Sequence, residues 1–199
     1  MGSSKGDSYR KDLFDKLTAA GAKVEYLGSQ KSGSFSQNSH EGWIGFEIDK
    51  ISQKADDPKA LGAKPNLVLL LAGTNDIAHS QRNGAPQRLQ KLAEKITTRV
   101  PGVVLIVGTL PPFAAKYMPS GQGGDSAPWI NEFNTAASKI AKSMAEKGAK
   151  VAMADLSAVK LGDLQDGIHP NDGGYRKMSA GWFKAIEEVA AKGWLKGSS

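Results

Sequence analysis

The sequence of 199 residues contains no cysteine. This absence excludes disulfide bonds, thiolate zinc sites, iron–sulfur clusters and cysteine nucleophiles. The longest apolar run, residues 67–72, is far shorter than the roughly 20 residues that a membrane-spanning helix requires. The first five residues, MGSSK, contain no hydrophobic signal core. We therefore expect a soluble protein with no membrane partner, whose export signal, if it is exported, has been removed.

Long runs of positive charge are also missing, although the formal net charge is +6. Lys and Arg occur at most in adjacent pairs, such as Arg10-Lys11 and Arg176-Lys177, so no basic arm or stripe is available for nucleic acid. No phosphate loop of the GxxxxGK type occurs, and the glycines of segment 121–124 do not follow a strand as they do in a dinucleotide site. We expect no nucleic-acid partner and no cofactor.

The sequence does contain an alternation of apolar strands and amphipathic helices. Four continuous apolar runs are typical of buried parallel strands; they lie at residues 24–27, 67–72, 103–110 and 151–156. Helical spacing of apolar residues predicts helices around and between them, over 9–17, 44–51, 85–96, 130–144 and 175–189. The pattern predicts one domain over residues 1–199, an α/β fold with three layers, α/β/α, around a mostly parallel sheet.

Polar side chains are expected at the carboxyl ends of two of these strands. Asn75, in the motif GTND, follows the strand at 67–72, and its amide is a donor of the kind that holds an oxyanion. Asp166 and His169, in the motif DGIHPN, follow the strand at 151–156. A carboxylate three residues before a histidine can bind the Nδ1 proton and leave Nε2 free as a general base. The long loops at 29–39 and 111–127 are expected at the same edge of the sheet.

Taken in order, these blocks resemble the SGNH/GDSL hydrolase superfamily. The fuller series is similar to carbohydrate esterase family three, the acetyl xylan esterase group, over nearly the whole chain. It comprises YRKDL (9–13), VEYLGS (24–29), SHEGWIG (39–45), GTND (73–76), DGIHPN (166–171) and Tyr175-Arg176. The resemblance implies a flavodoxin-like sheet, the SGNH hydrolase fold, and hydrolysis of acetyl esters on xylan-type sugars by a serine. It also implies a secreted protein.

The resemblance assigns roles to particular residues. His169 is the base and Asp166 orients it. Asn75, Gly42 and the N–H of the nucleophile hold the oxyanion, and Gly45 is the alternative to Gly42. The remaining role is that of the nucleophile, which in this family lies in a Gly-Asp-Ser box directly after a buried first strand.

The chain has the tripeptide Gly6-Asp7-Ser8, but no strand precedes it and Tyr9-Arg10 follows at once. The same tripeptide recurs at 124–126 without a strand before it. We interpret residues 2–8 as the loop that normally follows the nucleophile. Ser8 is then a doubtful candidate for the nucleophile, and its simpler role is that of a helix cap. The first strand is then missing, and the chain is an esterase scaffold that lacks a positioned serine. Two further hypotheses are a catalytically silent carbohydrate-binding protein and an esterase or thioesterase for other small acyl groups.

Simpler structural roles compete with function for the other candidate residues. The spacing of His40, Asp76 and His79 matches no zinc signature, so we predict no metal and expect both histidines to face solvent in loops. Aromatic rings stack on sugars. Tyr117, in the loop rich in Pro and Gly, is the predicted substrate-binding residue, ahead of Trp43 and Trp129. We expect a monomer whose ligand is an acetylated carbohydrate or small ester.

Overall fold

A computed structural model describes residues 6–79, 81–119 and 124–195 of the chain. Six α-helices occur in these ranges: α1 (Ser8–Ala19), α2 (Ile48–Lys54), α3 (Thr74–Ala78), α4 (Ala85–Arg99), α5 (Ala127–Glu146) and α6 (Asp172–Ala191). The strands are β1 (Gln30–Lys31), β2 (Ser39–His40), β3 (Leu67–Leu70), β4 (Val104–Gly108) and β5 (Val151–Ala154). Within the same ranges, no helix is both long enough and apolar enough to cross a membrane.

The central sheet is parallel and has the order β3-β4-β5. Leu67 pairs with Val104, and Leu105 pairs with Val151, so the three strands end at one edge of the sheet. Every residue of β4 is buried, because β4 has a neighbour on each side and helices on both faces. Successive side chains of β4 therefore enter opposite layers of the core, as the alternation of a strand requires.

Helices cover both faces of the sheet. Leu105 and Val107 belong to a cluster that includes buried side chains of α2, α3, α4 and α5. Val104 and Ile106 belong to a second cluster, which contains Leu13 of α1 and Trp182 of α6. The predicted α/β/α layering around a parallel sheet is confirmed.

The strand predicted at residues 24–27 is wrong, because those residues have no regular secondary structure. Leu27 is 38% exposed, and the Tyr26 N–H donates to the side chain of Gln37 instead of to a neighbouring strand. A parallel strand is stable only when a neighbouring strand satisfies its backbone groups. In the described part of the chain, no strand lies beside 24–27. The short antiparallel pair β1 and β2 follows it instead.

In the described sheet β3 has a neighbouring strand on one side only, which explains its exposure. Three of its four residues, Leu67, Val68 and Leu69, are only partly buried, whereas all of β4 is buried. β3 forms one edge of the described sheet, and its lateral backbone groups face away from β4. The edge is therefore open at the position where a first strand would pair in a flavodoxin-like sheet.

The close packing of Trp182 against β4 gives a test of the core. A methyl group at Gly108 would lie 2.7 Å from Trp182 and 2.9 Å from Leu156, whereas one at Gly162 would meet nothing within 4 Å. Gly108→Ala should lower the free energy of unfolding by about 1–3 kcal/mol because the core is overpacked. Gly162→Ala is the matched control and should change it by less than about 0.5 kcal/mol. Urea denaturation checks both, and equal stability of the two variants would contradict the packing of Trp182 described above.

Candidate active site

A single carboxylate organises the turn that carries His169. Asp166 Oδ1 accepts the backbone N–H of Ile168 at 2.9 Å and that of His169 at 2.8 Å. Asp166 Oδ2 lies 2.7 Å from His169 Nδ1. Partial burial acts to raise the pKa of the Asp166 carboxyl, but the backbone and ring of His169 and the N–H of Ile168 together hold that pKa well below its usual value. Asp166 is therefore ionised at neutral pH.

The ionised Asp166 determines the tautomer of His169. A carboxylate only accepts hydrogen bonds, so Nδ1 of the imidazole must carry the proton. Nε2 of the neutral ring then has a lone pair, and in the described ranges it has no hydrogen-bond partner. The side chain of His169 is 42% exposed, so Nε2 is accessible to a reactant. This is the geometry of a general base.

The chain on both sides of the turn is also held in place. Gln165 N–H donates to the His169 carbonyl at 2.8 Å, and Asn171 N–H donates to the Asp163 carbonyl at 2.7 Å. The side chain of Asn171 then caps α6 by accepting the N–H of Gly174 at 2.9 Å. The His169 turn therefore joins the start of a long helix, which limits its motion.

Asn75 lies in the first turn of α3, directly after β3. Its Nδ2 donates to the carbonyl of Phe46 at 3.0 Å, which fixes the orientation of the amide and leaves its second N–H available. The neighbouring Asp76 is fully buried and accepts the N–H of Ile48 at 3.0 Å and Nη2 of Arg88 at 2.7 Å. These bonds join α3 to α2 and α4 and hold the Asn75 segment at the carboxyl end of β3.

The two candidate glycines have different surroundings. The N–H of Gly42 donates to Nδ1 of His40 at 2.9 Å, so in this structure it is committed to an internal hydrogen bond. Gly45 has a φ of 72°, and a side chain there would meet nothing within 4 Å. Gly45 also precedes Phe46, whose carbonyl binds Asn75. Of the two glycines, Gly45 is the one whose neighbour in the sequence binds the Asn75 amide.

No hydrogen bond joins Ser8 to His169 in the part of the chain that the structure describes. It opens α1 with a left-handed φ of 50°. Its hydroxyl accepts Nε of Arg10 at 3.3 Å. A groove of about 200 Å³ contains Ser8 together with Asp172, Tyr175 and Arg176 of α6. Ser8 therefore lies beside the first turns of α6, which follow the His169 turn.

The model of the GDSL-like lipase/acylhydrolase family matches residues 6–177, which is most of the sequence. The chain belongs to this family. The fold of this GDSL-like protein is thus that of a known hydrolase family.

Individual relatives agree with the family. A multidomain esterase of Ruminococcus flavefaciens is 31% identical over 217 aligned residues, which cover 96% of this chain and 27% of that protein. The chain thus spans about a quarter of the length of this curated relative. The Clostridium thermocellum family 3 carbohydrate esterase superposes with a TM-score of 0.79 at 28% identity and covers 96% of this chain and 92% of its own. A family 3 carbohydrate esterase from Talaromyces cellulolyticus gives a TM-score of 0.76 at 22% identity, with 92% of each chain covered.

A Ser–His pair that the sequence analysis missed lies elsewhere in the GDSL-like domain. Ser32 Oγ lies 2.9 Å from Nε2 of His40. Because Nδ1 of His40 accepts the N–H of Gly42, Nε2 must carry the proton of the neutral ring and donate it to Ser32. His40 therefore cannot remove a proton from Ser32, and the pair is structural. Ser32 and His40 are eight positions apart, at the two ends of the irregular segment between β1 and β2, so no periodic pattern indicates the contact.

Arg10 is the centre of this structural cluster. The residue is 8% exposed, and its guanidinium donates to the carbonyls of Gly6, Ser32 and Asn38 at 2.8 to 3.0 Å. It also lies 5.6 Å from the centre of the Phe35 ring. These bonds fasten the Gly6–Ser8 segment to the loop between β1 and β2.

A second carboxylate–imidazole pair was also missed. His79 Nδ1 lies 2.8 Å from Oε1 of Glu47, and the side chain of His79 is 47% exposed. The ring of this loop histidine thus faces solvent in part, as expected, while its other side is bound. In the described ranges, no three His, Asp or Glu side chains converge on a possible metal site. The absence of a metal stays a prediction.

The three candidate sugar-stacking rings are all engaged within the protein. Trp43 stacks on Phe46 with centroids 5.4 Å apart, and Nζ of Lys54 lies 4.6 Å from the Trp43 ring. The guanidinium of Arg82 lies 3.5 Å from the centre of Trp129. The hydroxyl of Tyr117 donates to the carbonyl of Asp166 at 3.2 Å. The aromatic residue predicted to bind substrate thus contacts the turn that carries the candidate base.

The environment of His40 predicts a pH dependence of stability. Burial and the nearby Arg10 lower the pKa of His40 to about 4, from about 6.5 in the unfolded chain. Between these values the unfolded chain binds a proton that the folded protein does not, so stability falls as the pH drops from about 6.5 to about 4. The Tm of the unmodified protein should therefore fall more between pH 7 and pH 5 than that of His40→Asn, which does not titrate. Parallel Tm curves for the two proteins would sink this explanation.

Proposed function

We propose that this chain forms the base side of an esterase site that removes acetyl groups from xylan-type polysaccharide by a Ser-His-Asp mechanism. The observation that carries the proposal is the 2.7 Å contact between Asp166 Oδ2 and His169 Nδ1. It orients an accessible imidazole whose Nε2 has no partner in the described ranges. Family membership supports ester hydrolysis, and the similarity to family 3 carbohydrate esterases supports a carbohydrate ester.

Each residue has a definite part in the reaction. His169 Nε2 takes the proton of a serine hydroxyl while the serine oxygen attacks the acetyl carbonyl. The negative charge that forms on the carbonyl oxygen is met by the free amide N–H of Asn75 and by a backbone N–H of the Gly42–Gly45 loop. His169 then gives the proton to the departing sugar oxygen, which leaves as a hydroxyl. Water, deprotonated by His169, next attacks the acetyl-serine, and acetate leaves as His169 returns the proton to the serine oxygen. Asp166 stabilises the imidazolium that forms at each step.

In the described ranges no strand pairs with the free side of β3, and the serine is proposed to come from a strand that pairs there. Ser8 has the wrong partner, since its hydroxyl bonds Arg10 and not His169 in the described part of the chain. The open edge of β3 lies next to the Asn75 segment. A parallel strand paired there would end at the same edge of the sheet as Asn75 and the His169 turn. Secretion is proposed on the same family grounds, because a polysaccharide is an extracellular substrate.

Hydrolysis of p-nitrophenyl acetate tests the proposal directly. We expect the 199-residue chain, shown to be folded by circular dichroism, to give no more turnover than its His169→Ala variant. A version that carries an apolar strand ending in Gly-Asp-Ser ahead of residue 2 should gain activity. In that version His169→Ala should lower kcat by about 10²–10⁴-fold because the base is lost.

Ser8→Ala is the matched serine control. It should leave the activity of the strand-bearing version unchanged, since Ser8 has no part in the proposed reaction. Turnover by the 199-residue chain that is lost in both Ser8→Ala and His169→Ala would identify Ser8 as the nucleophile. That result would overturn the requirement for an added strand.

The lack of a hydrogen bond between Ser8 and His169 in the described residues favours one alternative, a catalytically silent carbohydrate-binding protein. In that case the chain should bind acetylated xylo-oligosaccharides in isothermal titration calorimetry without releasing acetate, and it should not bind cello-oligosaccharides. His169→Ala should bind with unchanged affinity, because no proton transfer is involved. Acetate release that depends on His169 would exclude this alternative.

A further inference from the structure

The segment between β4 and α5 is anchored firmly at its base. The N–H and carbonyl of Leu110 bind the side-chain amide of Asn134 at 2.7 and 3.0 Å. The N–H and carbonyl of Phe113 bind the hydroxyl of Ser126 at 3.0 and 2.6 Å. Ser126 is fully buried, so these bonds are shielded from water. Residues 110–118, the anchored loop, are thereby fixed to the start of α5.

The anchored loop makes two hydrogen bonds to the turn that carries Asp166 and His169. The N–H of Ala114 donates to the carbonyl of Gly167 at 2.6 Å. The hydroxyl of Tyr117 donates to the carbonyl of Asp166 at 3.2 Å. The backbone carbonyls of Asp166 and Gly167, the first two residues of the turn, are therefore both bound by groups of the anchored loop.

Contact between the two segments is also close. Gly167 has a left-handed φ of 96°, and a side chain there would lie 2.9 Å from Cβ of Ala114 and 3.5 Å from the Tyr117 ring. The turn thus requires glycine both for its conformation and for the approach of the loop. The Tyr117 ring has Gly167 against its edge and the ammonium of Lys116 5.1 Å from its centre. Its surroundings are those of a packed residue, with the hydroxyl directed into the turn.

We propose that Tyr117 is a positioning residue, which holds the Asp166 peptide so that the carboxylate keeps the Nδ1–H tautomer of His169. The proposal rests on the function proposed above and adds a residue to its site. Asp166 is held at both ends, since its carboxylate binds the His169 ring and its carbonyl binds Tyr117. Loss of the second bond frees the peptide unit to rotate, and the carboxylate then moves away from Nδ1. Small displacements of this kind matter because catalytic groups act only in narrow geometry.

The test is the ring ¹⁵N spectrum of His169 at pH 8, which reports the tautomer in the 199-residue chain without any substrate. Tyr117→Phe should reduce the fraction of the Nδ1–H form and speed exchange of the Nδ1 proton. Tyr26→Phe is the matched control, because the Tyr26 hydroxyl also donates to a backbone carbonyl, that of Arg10, at 3.1 Å. His40 is an internal reference, since its proton lies on Nε2.

A second variant covers the case in which Tyr117→Phe does not fold. Ala114→Pro removes the N–H that binds Gly167, and proline fits the φ of −67° at this position. A changed His169 spectrum in the folded loop variants, with no change in Tyr26→Phe, supports the proposal. An unchanged His169 spectrum, or an equal change in Tyr26→Phe, overturns it. Because no turnover is measured, failure of this test is distinct from failure of the proposed esterase activity.

Discussion

The parallel pairing of β3 and β5 with β4 determines where the candidate site can be. Strands that run in the same direction end at the same edge, so Asn75 after β3 and the Asp166–His169 turn after β5 are both delivered there. Helices on both faces leave that edge as the place where loops can meet. The same constraint exposes the weak point of the structure, because β3 has a neighbour on one side only in the described sheet. An edge strand of apolar residues is partly exposed as a result.

Asp166 shows how one side chain can serve the fold and the chemistry together. One oxygen closes the turn by accepting two N–H groups, and the other binds the ring of His169. These bonds depress the pKa of Asp166, so the carboxylate is charged at any pH where an imidazole could act as a base. Removing the charge would therefore disturb both the conformation of the turn and the tautomer of His169.

A comparison of His40 with His169 shows why proximity of a serine and a histidine does not by itself make a catalytic pair. Ser32 and His40 are in hydrogen-bond contact, but the N–H of Gly42 occupies Nδ1, so the ring donates to the serine. His169 has the opposite arrangement, with a carboxylate at Nδ1 and a free lone pair at Nε2. The protonation of the far nitrogen decides which histidine can be a base. The base-competent histidine is the one that makes no hydrogen bond to a serine in the described part of the chain.

The three-layer fold could be predicted from continuous apolar runs and helical spacing alone, because both patterns reflect burial directly. Asp166 and His169, three residues apart, were also predictable as a pair, since local spacing alone brings their side chains together. The structure of residues 24–27 was not predictable in this way. Their apolar side chains suit a strand, but the sequence does not show whether the neighbouring strand that such a strand needs is present. Only the tertiary structure brought Tyr117 to the carbonyl of Asp166 and committed the N–H of Gly42 to His40. The physical reason is that such contacts depend on the paths of irregular loops, and these paths are set by close packing and individual hydrogen bonds that leave no periodic pattern in the sequence.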